Sequence, residues 1–163
     1  MKRIIFILLL FIPFCLTGQV VSSTVSYSQE AEPYGPEKIS NGGFADATGW
    51  NVTGSWAIAG NVASFTTGTS GAVYQTDGDM VSSITTGETY KLEFDIASGG
   101  DVSIRFASSN NGIAYIDYTT YGNGHHSVEF GPLVDAGVAG FYVRSLSGTA
   151  SYTIDNISVM KVN

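Results

Sequence analysis

Short runs of alternating apolar and polar residues fill the chain from about residue 37 onward. The clearest is Tyr90 to Ile96, in which every second residue is apolar and the residues between are charged. In an extended strand this alternation places the apolar side chains on one face and the charged ones on the other. Val102 to Phe106 repeats the pattern after a Gly-Gly-Asp turn, which predicts that the two runs form a hairpin.

Further runs of this kind, separated by clusters of Gly, Asn, Asp and Ser, also predict strands. They are Trp56 to Ile58, Val62 to Phe65, Ala72 to Gln75, Ile113 to Tyr118, His126 to Phe130, Phe141 to Leu146 and Tyr152 to Val159. No long helical period appears. The pattern predicts an all-β fold, a two-sheet antiparallel β-sandwich of the jelly-roll kind. An immunoglobulin-like sandwich is the alternative, although its cysteine pair is absent.

The N-terminus has the layout of a secretory signal. Lys2 and Arg3 precede an apolar run from Ile4 to Leu16, which is shorter than the roughly 20 residues of a membrane span. This predicts a signal peptide over residues 1–18, a Ser/Glu/Pro-rich linker over residues 19–36 and a β-sandwich domain over residues 37–163. We therefore expect a secreted or cell-surface protein, with membrane association only if the leader is retained.

Composition narrows the choice of partners. The 163 residues carry 7 basic and 14 acidic side chains, for a formal net charge of -7. Nucleic-acid binding draws its affinity from clustered Lys and Arg, so this balance argues against a nucleic-acid partner. The single cysteine, Cys15, lies in the leader, so the domain has no disulfide and must rely on its hydrophobic core.

Segments at both ends and in the middle of the domain carry a family resemblance. They are Asn41 to Phe44, Gly49-Trp50, Gly54 to Ile58, Val73 to Gln75, Gly87 to Lys91 and Tyr152 to Val159. Together they resemble the jelly-roll carbohydrate-binding modules appended to xylanases and cellulases, within the galactose-binding-like superfamily. The resemblance covers about residues 37–162 and implies the jelly-roll fold.

The same resemblance implies one structural calcium ion between the start and the end of the domain. Asp155 would supply a carboxylate, and backbone carbonyls near Asn41 and Phe44 would add the oxygen ligands that calcium prefers. Ala45 stands where family members commonly have an acidic residue. The alternative is that Asp155 and Asn156 form a bulge that shifts the register of the last strand.

Catalytic motifs are missing from the sequence. It contains no Gly-x-Ser-x-Gly elbow, His-Glu-x-x-His pair or phosphate loop. Glu93 and Asp95 lie two residues apart on one strand face, but Lys91 on the same face favours an ordinary solvated surface. We therefore expect a binding protein and no enzyme.

Sugar recognition needs aromatic rings that stack on a pyranose and polar side chains that bind its hydroxyls. The alternation predicts that Arg105, Asp95 and Tyr142 lie side by side on one sheet. Further candidates are Tyr115, Tyr121, Arg144 and Trp56. Each has a structural alternative: exposed sheet surface for the tyrosines, the core for Trp56, and charge balance of an acidic face for the arginines. Tyr74, Tyr90 and Tyr152 are predicted to be core residues.

These observations predict a secreted, non-catalytic module that binds a poly- or oligosaccharide through one sheet face. The alternative is a structural or adhesion protein, such as a phage virion or tail component or a bacterial surface domain. In that case the jelly roll would contact a protein partner or a second copy of the chain.

Overall fold

The computed structural model describes residues 33–108, 112–137 and 140–163. These segments contain eleven strands and no helix. The strands are β1 (Tyr34–Glu37), β2 (Asn51–Val52), β3 (Trp56–Ala59), β4 (Val62–Phe65), β5 (Gly71–Thr76), β6 (Tyr90–Ser98), β7 (Val102–Ala107), β8 (Ala114–Tyr121), β9 (Gly124–Phe130), β10 (Gly140–Ser145) and β11 (Tyr152–Val162). The predicted signal peptide and most of the predicted linker lie outside the described residues. Within those residues, no helix has the length and apolar character needed to cross a membrane.

The strands form two antiparallel sheets. Sheet 1 has the order β3-β4-β11-β6-β9, with β1 also paired to β11, and sheet 2 has the order β2-β5-β10-β7-β8. Every pairing is antiparallel. The all-β, two-sheet jelly-roll sandwich predicted from the alternation is confirmed, and each predicted run coincides with a strand to within a few residues.

The predicted hairpin between the runs at Tyr90 and Val102 is wrong. These runs are β6 and β7, and they belong to different sheets. Their inward side chains meet across the core, where the Phe94 and Phe106 rings lie 4.9 Å apart. Strand β6 instead pairs with β11 and β9. The sheet that a strand joins depends on partners far along the chain, and the local alternation does not encode them.

The folded domain begins slightly before the predicted boundary. Tyr34 in β1 is the register partner of Val162 in β11, so residues 34–36 belong to sheet 1 and not to a linker. The ammonium group of Lys91 lies 4.8 Å from the centre of the Tyr34 ring, which anchors the strand from its outer side.

Large aromatic side chains fill the space between the sheets. Those with less than 2 % exposure include Phe44, Phe65, Tyr90, Phe94, Phe106 and Phe141. Tyr90 and Tyr152 are core residues, as predicted. Tyr74 is not, and the reason lies in the next residue along β5.

Gln75, a polar residue, takes the inward position that the sequence pattern assigned to Tyr74. Its side chain is fully buried. Its Nε2 donates to the Ser40 carbonyl at 2.6 Å and to Ser40 Oγ at 2.9 Å, while its Oε1 accepts from the Ser40 amide at 3.2 Å. Because these bonds satisfy the buried amide, Gln75 points inward and Tyr74 points outward.

Candidate functional site

Two stacked tyrosines stand on the outward face of sheet 2. Tyr74 in β5 and Tyr142 in β10 are register partners, and their ring centres lie 4.3 Å apart with an angle of 6° between the planes. This separation is close to the spacing of neighbouring strands, about 4.8 Å, so the rings stand side by side. Each ring uses one face for its partner and turns the other away from the pair.

The Tyr142 hydroxyl stays neutral over a wide pH range. Partial burial, and secondarily the neighbouring Tyr74, raise the pKa of Tyr142 above its ordinary value. A neutral phenol both donates and accepts hydrogen bonds, which suits it to a ligand with many hydroxyl groups.

Two arginines occupy the same face beside the tyrosines. Arg144 follows Tyr142 by two residues in β10, and its register partner in β7 is Arg105. Both are half-buried. Arg105 Nη2 donates to the Gly112 carbonyl at 2.8 Å. We call the outward surface formed by Tyr74, Tyr142, Arg105 and Arg144 the Tyr–Arg face.

The only carboxylate on the strands of sheet 2 is Asp117 in β8. Its Oδ1 lies 3.6 Å from Arg105 Nε, and the side chain is 82 % exposed. Arg105 Nε is itself buried and has no hydrogen-bond acceptor. The other acidic residues of the strands lie in sheet 1.

Asp95 is not part of this face, and the predicted arrangement of Arg105, Asp95 and Tyr142 is wrong for this residue. Asp95 lies in β6 of sheet 1, on the opposite side of the sandwich. Asn156 Nδ2 donates to its Oδ2 at 2.7 Å, and His125 Nδ1 lies 2.8 Å from its Oδ1. These bonds, that of Asn156 first, hold the pKa of Asp95 below its usual range.

Tyr115 and Tyr121 lie in the core, so the prediction that they line an exposed surface is wrong. They are 8 % and 6 % exposed. The pairing of β7 with β8 shifts register on both sides of the Phe106–Ile116 pair. This irregularity turns Tyr115 inward, where its ring stacks on that of Phe130, with 5.3 Å between the ring centres. The Tyr121 ring meets Phe94 edge-on at 5.0 Å.

Burial also fixes the polar end of Tyr115. Its hydroxyl donates to the carbonyl of Gly140 at 3.1 Å and, more weakly, to that of Ala136 at 3.3 Å. Burial raises the pKa of Tyr115 far above its ordinary value. The Tyr115 hydroxyl therefore links β8 to the start of β10, and the buried ring offers no face to a ligand.

Trp56 belongs to the core, which confirms the structural alternative for this residue. It is 5 % exposed, and its ring lies 5.5 Å from both Phe65 and Tyr152. We therefore leave it out of the candidate surface.

The residues expected to bind calcium lie close to one another at the bulge of β11. The register of β11 shifts between Asp155 and Ser158, and Asn156 has a φ of 50°. The Ile157 amide donates to the Gly42 carbonyl at 2.9 Å, so the loop that contains Asn41 and Phe44 rests directly on this bulge. The bulge that was the alternative to a calcium site is therefore present.

The donor set fits a calcium ion poorly. The Asn41 carbonyl already accepts from Trp50 Nε1 at 2.9 Å and from the Phe44 amide at 3.0 Å. Asp155 Oδ1 accepts from the Asn156 amide at 2.7 Å. In residues 33–108, 112–137 and 140–163, no group of three or more His, Cys, Asp or Glu side chains is placed to hold a metal ion. Calcium binding stays a prediction for experiment.

A shallow open groove of ≈ 420 Å³ lies on the other sheet. It runs over the ends of β4, β11 and β6, and its floor is made of small residues such as Ser64, Thr153 and Ala97. The large rings beside it, Phe65 and Tyr152, point into the core. It therefore lacks the aromatic surface found on sheet 2.

Comparison with solved structures places this architecture among known proteins. The cellulose-binding domain at the N-terminus of Cellulomonas fimi β-1,4-glucanase C superposes with a TM-score of 0.55 at 16% identity, over 82% of this chain and 99% of that domain. The chain has the fold of these carbohydrate-binding modules. The second such domain of the same glucanase gives a TM-score of 0.52 at 15% identity, over 78% of this chain and 93% of that domain.

A xylan-binding domain of the same fold is also similar. The CBM22-1 domain of Paenibacillus barcinonensis Xyn10C has a TM-score of 0.50 at 14% identity, over 82% of this chain and 99% of that domain. No protein-family model matches the sequence, and no curated protein matches it. At identities this low, the superpositions establish only the fold. The ligand therefore has to be argued from this chain's own residues.

Proposed function

We propose that this domain is a non-catalytic carbohydrate-binding module, part of a secreted or cell-surface protein, that binds a poly- or oligosaccharide on the Tyr–Arg face. The observation that carries the proposal is the stacked pair of Tyr74 and Tyr142 on an open sheet surface. Its fold, which it shares with cellulose- and xylan-binding domains, supports the same conclusion.

The physical argument concerns what each group offers a sugar. The apolar face of a pyranose packs against an aromatic ring, and the outer faces of the stacked pair provide such surfaces. Arg144 lies two residues from Tyr142 along β10, about 7 Å away, so its N–H groups reach the hydroxyls of a sugar placed on the ring. Because the surface is open and hydrated, we expect dissociation constants on the order of micromolar to millimolar.

The test is binding of the full chain to a panel of soluble and insoluble polysaccharides, with Tyr142→Ala and Tyr34→Ala compared. Tyr34 is a matched control because it is also a half-buried strand tyrosine, but it lies on sheet 1. We expect retention on at least one glycan class, weakened tenfold or more by Tyr142→Ala and unchanged by Tyr34→Ala. Thermal melting of both variants establishes that they are folded.

Two results would contradict the proposal. Equal binding by the wild type and folded Tyr142→Ala would remove the Tyr–Arg face as the site. A folded chain that binds no glycan would favour the alternative, a structural or adhesion protein, and the search would turn to protein partners.

A further inference from the structure

We infer that the carbohydrate bound on the Tyr–Arg face carries an anionic group, a carboxylate or a sulfate, which the arginine pair recognises. The inference rests on the proposed function and narrows it to acidic glycans.

The first argument is the placement of the two arginines. Arg105 and Arg144 are direct register partners on adjacent antiparallel strands and point to the same side. Like charges in this arrangement destabilise a sheet, and partial burial strengthens their repulsion because water screens them less. An anion placed over both guanidinium groups would remove this repulsion.

The second argument is how the positive charges are distributed. Both arginines within the described residues lie on the Tyr–Arg face, and the three lysines of the same residues lie elsewhere. Lys91 Nζ is 2.7 Å from Glu93 Oε1, Lys161 Nζ is 2.9 Å from Glu88 Oε2, and Lys38 Nζ donates to Ser82 Oγ at 3.0 Å. The lysines thus take part in intramolecular contacts away from the face.

The single acidic neighbour on sheet 2 is a weak partner. Asp117 Oδ1 is 3.6 Å from Arg105 Nε, beyond normal hydrogen-bond length, and the Asp117 side chain is 82 % exposed. At Arg105 an anionic ligand therefore competes with a long contact to an exposed carboxylate.

The third argument is the chemistry of the side chain. A guanidinium group is planar and donates two parallel hydrogen bonds to a carboxylate or sulfate, which an ammonium group does not do. A tyrosine ring beside such a group matches a pyranose with an anionic substituent. The chain as a whole has a net charge of -7, so a polyanion would be attracted only where the local charge is positive.

The experiment compares pairs of polymers that share a sugar backbone and differ in whether they carry the anionic group. Polygalacturonate and its fully methyl-esterified form test the carboxylate, and dextran sulfate and dextran test the sulfate. We expect the full chain to bind one acidic polymer at least tenfold more tightly than its neutral counterpart. The preference should shrink as salt is raised from about 50 mM to 500 mM, because salt screens the contact.

Single substitutions test whether the two arginines cause the preference for the acidic polymer. Arg144→Gln and Arg105→Gln should each reduce binding of the acidic polymer by tenfold or more. Lys161→Gln removes the same charge from sheet 1 and should leave binding unchanged. The comparison of charged and neutral polymers uses the wild type, so it remains decisive even if an arginine variant does not fold.

The outcomes separate this inference from the proposed function. Equal binding of charged and neutral polymers, lost in Tyr142→Ala, would overturn the anionic ligand and leave the module intact. Binding of every polyanion that persists in Tyr142→Ala would show nonspecific charge attraction and would also overturn it. Failure to bind any glycan would overturn the proposed function itself.

Discussion

The two outward faces of the sandwich carry different side chains. On sheet 1, Lys91 pairs with Glu93, and Asp95 accepts a hydrogen bond from Asn156 and lies against His125. On sheet 2 the corresponding surface holds the Tyr–Arg face, with one exposed carboxylate. Sheet 1 therefore presents acidic and basic groups in contact with one another, whereas sheet 2 presents two stacked rings and two adjacent arginines.

Strand β1 strengthens this difference, because it pairs with β11 of sheet 1. Glu37 accepts hydrogen bonds from the Val159 amide at 2.7 Å and the Ile39 amide at 2.9 Å, and Ser158 Oγ donates to its other oxygen. We therefore expect substitutions near sheet 1 to change stability with little effect on binding, and substitutions on the Tyr–Arg face to do the reverse.

The largest effect is expected for Gly42→Ala, beside the bulge of sheet 1. A Cβ at Gly42 would lie 1.9 Å from the Ile157 carbonyl oxygen, so the loop or the strand has to move. We expect the free energy of unfolding to fall by about 2–3 kcal/mol, measured by urea denaturation. Gly43→Ala is the matched control, since its Cβ would meet only Asn156 Oδ1 at 3.8 Å. Equal stability of the two variants would contradict the close contact.

A smaller loss is expected for Gln75→Met, beneath the Tyr–Arg face. Methionine is similar in size, but it leaves the amide and carbonyl of half-buried Ser40 without the partner they have now. We expect a loss of about 1–3 kcal/mol in urea denaturation, with glycan binding retained because Tyr74 still points outward. Loss of binding with unchanged stability would instead mean that Gln75 sets the ligand surface directly.

A weaker, pH-dependent effect is expected for Asp95→Asn. The hydrogen bonds from Asn156 and His125 lower the pKa of Asp95 below its unfolded value of about 3.9. The contribution of Asp95 to the free energy of unfolding is therefore fully present at a pH above that value. This contribution is lost as the pH falls through the folded pKa. Wild type should therefore lose stability more steeply than the variant between about pH 5 and pH 2. The side chain is 39% exposed, so solvent keeps the difference small. Parallel pH profiles of the melting temperature would rule this contribution out.

The smallest effect is expected from calcium. Because Trp50 and Phe44 already use the Asn41 carbonyl, we expect addition of calcium to the chelated protein to shift the melting temperature by less than about 1 °C. A rise of several degrees would contradict this expectation and show that the folded protein binds the ion.

The sequence predicted the strands well because alternation is a local property. The run from Tyr90 to Ile96 becomes β6 with its apolar residues inside, as expected. The assignment of β6 and β7 to opposite sheets depends on partners far along the chain, and nothing in either run specifies it. This is why Asp95 was placed beside Arg105 and lies instead on the other side of the molecule.

The candidate site was predicted in part. Alternation placed Tyr142, Arg144 and Arg105 outward correctly, but only the register shows that the arginines are adjacent. Tyr74 was missed because a buried polar residue, Gln75, reverses the expected order, and the partner that satisfies it lies 35 residues away in Ser40. Tyr115 was misplaced because an irregularity in β8 interrupts the alternation.

Strand β11 has a consequence for how the domain is made. It comes last of the eleven strands, yet it pairs with β1, β4 and β6 in the middle of sheet 1. During synthesis, the earlier strands of that sheet would leave the ribosome with unpaired edges until residues 152–162 are made. Pairing across such sequence separations is slow, and exposed edges invite association with other chains. We therefore expect the chain to be most vulnerable to aggregation before β11 joins sheet 1.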